Sequence, residues 1–230
     1  MILASHQPDF APYPGFFYKM LMSDVFVLST DVGYSNSEMH KYNYIQGSDG
    51  RQRIGLPIVG HQEGKPLRDI LISRDNRLIY KAAKTFEQTY KHHPYFGKYG
   101  RHILNIIVSA TTPYGERLAD INKSLILYIA NGFGFDCDIL DASRMNLKGR
   151  RDERLIDMCE KTGCNLYLSG WGAAAYHDPK LYEDHGLRLT YTDYRPIVYE
   201  QYGNKGDFIE NLSMLDYVMN CGFQMPSEWR

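Results

Sequence analysis

The sequence predicts an α/β fold in one domain over 1–230: a mainly parallel, Rossmann-like sheet with flanking helices, a small antiparallel excursion and a helical insertion at about 75–132. Three observations predict it. Met1–Ala4, a helix from about Phe16 and the apolar run Asp24-Val25-Phe26-Val27-Leu28 make a strand–helix–strand unit. The same rhythm returns with a strand at Asp136–Asp141, a helix at Asp152–Lys161 stopped by Gly163, and a strand at Asn165–Leu168. Between the two units, Gly47-Ser48-Asp49-Gly50 reads as a hairpin turn joining a short strand at Tyr42–Ile45 to one at Gln52–Val59.

The elements follow in order. Asp24–Leu28 is almost continuously apolar, the pattern of a strand covered on both faces. Ile70-Leu71-Ile72 reads as extended. Asp75–Tyr90 carries Ile79, Ala82, Ala83, Phe86 and Tyr90 at three- and four-residue spacing and reads as a helix. A second helix runs over Tyr99–Ser109 and a third over Leu118–Gly132, where Gly132 and Gly134 close it. Leu187–Tyr194 alternates as a strand, and Leu212–Met219 is a last helix before Asn220-Cys221-Gly222.

The candidate site lies where the first strand breaks. Pro8, Pro12 and Pro14 restrict the backbone, and Gly15 permits a tight entry into the helix. A loop held this way can aim His6 and Gln7 from a strand end toward the edge where open α/β sheets bind ligands. A core histidine satisfied by a backbone carbonyl is the competing reading of His6. Asp31, at the end of the second strand, would share that edge. Ser169-Gly170-Trp171-Gly172, after the later strand, is a loop of small residues whose N–H groups could receive an anion.

Composition narrows the function. With 26 basic and 27 acidic residues in 230, the chain has no electrostatic footprint for duplex nucleic acid or an anionic membrane. No apolar stretch reaches the ~20 residues that span a bilayer, and the N-terminus lacks the marks of a signal peptide, so the expected location is cytoplasmic. Cys137, Cys159, Cys164 and Cys221 have neither disulfide-scaffold nor zinc spacing and are expected reduced and buried. His92-His93 point in different directions on any regular element, so no metal is expected. The 19 tyrosines offer flat rings with polar tips, suited to a wet cleft as well as to the edges of a core.

Taken together, His6-Gln7-Pro8, Pro12, Gly15, Lys19, Asp24-Val25-Phe26-Val27, Asp31, Tyr34, Asn43, Pro57, Glu153-Arg154-Leu155, Tyr167-Leu168-Ser169-Gly170, Tyr176, Leu212–Asp216 and Gly222 resemble the WbqC-like protein family, in order over nearly the whole chain. The resemblance implies a place among bacterial O-antigen and related surface-sugar proteins, with a proposed role in attaching glycine or another acyl group to an amino sugar. Thr30 stands where many members carry the first of two aspartates, and Tyr42 stands where an arginine commonly precedes Asn43.

The resulting expectation is an acyl or aminoacyl transferase that forms an amide on a nucleotide-linked or lipid-linked amino sugar. His6 or Asp31 would act as general base, with Gln7, Asn43 or the N–H groups after Ser169 as donors to a tetrahedral intermediate. Pro8, Gly15, Tyr34, Gly170 and Tyr176 are expected to line the substrate site. Lys19 either turns back toward the loop to meet a phosphate or stays on a solvated helix surface. The expected partner is a small molecule, a nucleotide-linked amino sugar or an activated amino acid. Two alternatives stand beside this one: an ATP-dependent adenylating amide ligase, by outline analogy with HIGH-type adenylyltransferases, and a non-catalytic sugar-nucleotide binding module. No cofactor is fixed by the residues; ATP is the one the ligase alternative would use.

Overall fold

The computed structural model describes residues 1–36, 38–48 and 50–229, with the backbone alone for Tyr114. In chain order its elements are β1 (Ile2–His6), α1 (Pro14–Leu21), β2 (Val25–Leu28), β3 (Tyr42–Gly47), β4 (Gly50–Gly55), α2 (Asn76–Tyr90), α3 (Arg101–Ser109) and α4 (Leu118–Phe133). They continue with β5 (Asp138–Asp141), α5 (Asp152–Thr162), β6 (Leu166–Ser169), α6 (Pro179–Asp184), β7 (Arg188–Tyr191) and α7 (Met214–Cys221). The chain is α/β and divides into two compact units.

The first unit comprises Met1–Gln7, Gly15–Asp31 and Phe135–Arg195. Its five strands are all parallel, in the order β5-β2-β1-β6-β7, so both strand–helix–strand units share one sheet. β2 is buried at every residue, as its apolar run requires. Alternation then sorts the side chains. Val25 and Val27 join Leu3, Ile156, Met158, Cys159 and Tyr167 in a core on the α5 side. Phe26 points the other way and meets Phe16 of α1 at 5.2 Å between ring centroids. α5 ends where Gly163 takes a left-handed φ of 69°, and Cys164 N–H donates back to the Cys159 carbonyl.

The second unit comprises Pro8–Pro14, Val32–Gly134 and Pro196–Arg230. It contains the antiparallel β3–β4 hairpin and α2, α3, α4 and α7. β4 stops at Gly55, earlier than the apolar pattern suggests, because Pro57 has no N–H to continue a ladder. Asp49, in the expected hairpin turn, lies outside the described residues. The segment expected to open the second helix is instead a wider turn, Phe96–Gly100, with α3 starting at Arg101.

Candidate active site

Sheet order fixes where a site can form. From β1 the chain moves to β2 and β5 on one side, while β6 and β7 lie on the other, so direction reverses between β1 and β6. Crevices at the carboxyl ends of such strand pairs are where doubly wound sheets bind ligands. β6 ends there at Ser169.

Two further segments deliver its partners. The loop after β5 enters α5 with Arg151 at a φ of 50°, which places Asp152 at the first position of that helix. After β6, the six residues Trp171–Tyr176 form a 3-10 turn with none buried, and His177 follows in extended geometry. Asp178 then caps α6 through its side chain, which accepts from Lys180 N–H, with Pro179 at the helix start.

The result is a serine–histidine–aspartate chain. Ser169 Oγ lies 2.9 Å from His177 Nε2, and His177 Nδ1 lies 2.5 Å from Asp152 Oδ1. Asp152 also accepts from Tyr182 Oη at 3.1 Å and from the Asp178 N–H at 2.8 Å. Burial pushes the Asp152 carboxyl up, but the Asp178 N–H and the His177 and Tyr182 donors outweigh it and hold the carboxyl below its ordinary range. An ionised Asp152 fixes Nδ1 of His177 as the protonated nitrogen and leaves Nε2 to accept from Ser169. Burial also pushes Tyr182 well above the usual phenol range, so its hydroxyl remains a donor.

Rings enclose the imidazole: Tyr167, Tyr182 and Tyr191 lie 6.1–6.2 Å from it, centroid to centroid. Beside it opens a pocket of about 490 Å³ lined by Arg151, Asp152, Leu155, Ala175, Tyr176 and His177. In the turn after β6, Trp171 and Tyr176 are 71% and 82% exposed, and of these two Tyr176 lines the pocket, while Ser169 is 4% exposed.

The expected site residues are distributed differently from the expectation. His6 and Ser169 share one edge of the sheet but not one face. The Ser5 hydroxyl meets Tyr167 Oη at 2.8 Å on the α5 side, whereas the His6 ring packs against Phe16 at 5.1 Å on the α1 side. His6 Nδ1 lies 2.9 Å from the Gln7 carbonyl. Asp31 is bound by Arg154, one Nη of which donates to both carboxylate oxygens at 2.6 Å. Lys19 is neither on a solvated surface nor free to reach a phosphate: it is buried, and its ammonium donates to the Ser5 carbonyl at 2.8 Å.

Pro8, Tyr34 and Asn43 belong to the second unit. There Asn43 is fully engaged, donating to the Ala11 carbonyl at 2.9 Å and accepting from Tyr44 N–H at 2.8 Å. Tyr34 donates to Asn36 Oδ1 at 2.9 Å. Gln7 and Gly15 lie in the first unit with His6, and Gly170 caps the 3-10 turn after Ser169. The cysteines are free, and Cys159 and Cys164 are buried. Burial, with Cys164 and Glu160 nearby, pushes the Cys159 thiol up to about 12, which removes it as a nucleophile at neutral pH. Among the described residues no cluster of three or more metal-ligating side chains occurs, and no helix is long and apolar enough to cross a membrane.

Residues 7–228 match the WbqC-like protein family. The chain belongs to that family. It is also 25% identical over 227 residues to an uncharacterized protein of Mycobacterium tuberculosis, covering 97% of this chain and 95% of the relative. No solved structure matches it. Sequence reasoning passed over Asp152 and His177, yet the stretches that carry the WbqC-like resemblance, Glu153-Arg154-Leu155 and Tyr176, stand immediately beside them. The helix start at Asp152 and the His177-Asp178-Pro179 run were the available signals.

Proposed function

We propose that this WbqC-like chain transfers an acyl group through an ester on Ser169. The observation that carries this reading is the hydrogen-bonded line from Ser169 Oγ through His177 to Asp152, at 2.9 and 2.5 Å. In this mechanism His177 Nε2 takes the Ser169 proton as Oγ attacks the acyl carbonyl carbon, and it returns that proton to the departing group as the tetrahedral intermediate collapses to the ester. An acceptor amine then attacks the ester, gives its proton to His177 and leaves as an amide, restoring the serine hydroxyl. Asp152 holds the imidazole in the required tautomer and stabilises its cationic form.

The first N–H groups of a 3-10 turn have no partner within the turn, so those of Trp171 and Gly172 are the donors this reading assigns to an oxyanion. Because Ser169 is covered, acylation requires the Trp171–Tyr176 turn to shift, and a turn with no buried residue loses little packing when it moves. Family resemblance supplies the rest of the reading: an aminoacyl or other acyl donor, an amino-sugar amine as acceptor, and a role in bacterial surface polysaccharide synthesis in the cytoplasm.

A fluorophosphonate probe followed by peptide mass spectrometry tests the nucleophile. The expected result is a single adduct on Ser169, absent in Ser169→Ala and strongly slowed in His177→Ala. Labelling that ignores both substitutions, or no adduct on the wild-type chain, rules the ester mechanism out.

A further inference from the structure

Within the second unit, a groove of about 300 Å³ is bordered by Lys41, Arg53 and Lys81. These three bases come from separate places: the residue before β3, the middle of β4 and the exposed side of α2. Among the described residues no carboxylate lines the groove and none of the three forms an ion pair. Bringing like charges together in a concave surface is unfavourable without a counter-charge, and such a surface concentrates anions.

The bases are also held in position. The Arg53 guanidinium lies 3.7 Å over the Tyr42 ring, an arrangement that fixes its plane and leaves its edge N–H groups for a ligand. Lys41 Nζ is tethered to Asn36 Oδ1 at 2.9 Å. Gly55 keeps the floor narrow: a Cβ there would sit 2.4 Å from the Lys41 carbonyl, so only glycine lets the two strands close beside the bases. The rest of the lining includes the apolar Leu56, Pro57, Leu78 and Ala82.

We infer that this groove binds a small soluble molecule bearing a phosphoryl or diphosphoryl group, with the anion against Lys41, Arg53 and Lys81 and a less polar part against Leu78 and Pro57. A concave site of this size suits a compact ligand, and planar guanidinium recognition of phosphoryl oxygens is the strongest contact available there. Nothing in this inference depends on Ser169.

Isothermal titration with inorganic pyrophosphate at fixed ionic strength tests it. Saturable binding by the wild-type chain is expected, weakened about tenfold by Arg53→Gln and about tenfold by Lys81→Gln, since a charge-assisted hydrogen bond contributes on the order of a factor of ten or more. Arg53→Lys should recover part of the loss, and Arg74→Gln, on an exposed arginine outside the groove, should bind as wild type. Lys81 lies on an exposed helix position, so its variant reports even where an Arg53 variant folds poorly. Absence of saturable binding at millimolar pyrophosphate, or equal binding by the Lys81→Gln chain, overturns the assignment. So does tighter attachment to phosphatidylcholine vesicles carrying phosphatidic acid that is lost in the same variants, which would make the ligand a lipid headgroup.

Discussion

His177 lies between Ser169 and Asp152, with Nε2 2.9 Å from the serine hydroxyl and Nδ1 2.5 Å from the carboxylate. The two contacts have different consequences for substitution. Ser169→Ala should abolish transfer while leaving the fold intact, because alanine fits a buried strand end and removes only the hydroxyl. Asp152→Asn should lower turnover by on the order of 10³–10⁴, since an amide facing Nδ1 favours the wrong tautomer. Steady-state rates with a chromogenic ester, beside melting curves, separate the two effects; an Asp152→Asn enzyme with wild-type turnover would remove His177 as the base.

Arg154 and Asp31 are each about four-fifths buried, and each neutralises the other. Arg154→Met leaves a largely buried carboxylate without its cation, and the expected cost is about 2–4 kcal/mol. The double variant Arg154→Met with Asp31→Leu should recover much of it. Urea denaturation of the three chains gives the comparison, and additive losses would show that the pair is not coupled.

His93 gives the fold a dependence on acid. Its ring is buried between Tyr90 and Tyr202, and among the described residues neither ring nitrogen has a hydrogen-bond partner. Burial, with His92 beside it, lowers its pKa from 6.5 to about 4. Between these values the unfolded chain binds the proton and the folded chain does not, so stability is complete above about pH 6.5 and falls as pH drops toward 4. The share lost from pH 7 to pH 5 is about 2 kcal/mol. A His93→Phe chain should lack that share, and identical stability slopes for both chains between those pH values would contradict the assignment.

Asn122 is fully buried and donates at 2.7 Å to both the Pro8 and His40 carbonyls, tying the proline loop to the start of β3. Asn122→Ala strips two buried carbonyls of their donor, with an expected cost of about 2–4 kcal/mol. Asn43→Ala strips the buried Ala11 carbonyl of its donor and the part-buried Tyr44 N–H of its acceptor, and should cost less, because only the first of these two groups is buried. Chemical denaturation ranks them, and a reversed order would place the weight of the loop on Asn43.

The parallel sheet was legible because its signals are local. A run such as Val25–Leu28 has one environment that suits it, buried on both faces, and helix stops such as Gly163 act within a single turn. The hairpin, α2 and α4 were readable for the same reason. The resemblance also marked the neighbourhood of the site, since Glu153, Arg154, Ser169 and Tyr176 all lie in it or beside it.

What the amino-acid order by itself determined is most of the elements, the short α6 excepted, the parallel character of the main sheet and the family to which the chain belongs. Tertiary structure alone decided which side chains meet. Strand order put β6 beside β1, yet alternation turned His6 toward α1 and Ser169 toward α5, so two residues on one edge lie on opposite faces. Asp152 and His177, 25 positions apart, come together because a helix start and the end of a 3-10 turn converge on the same strand end. Periodicity carries no record of that convergence, because it reports which face of its own element a residue occupies, and a site is made by the faces of several elements at once.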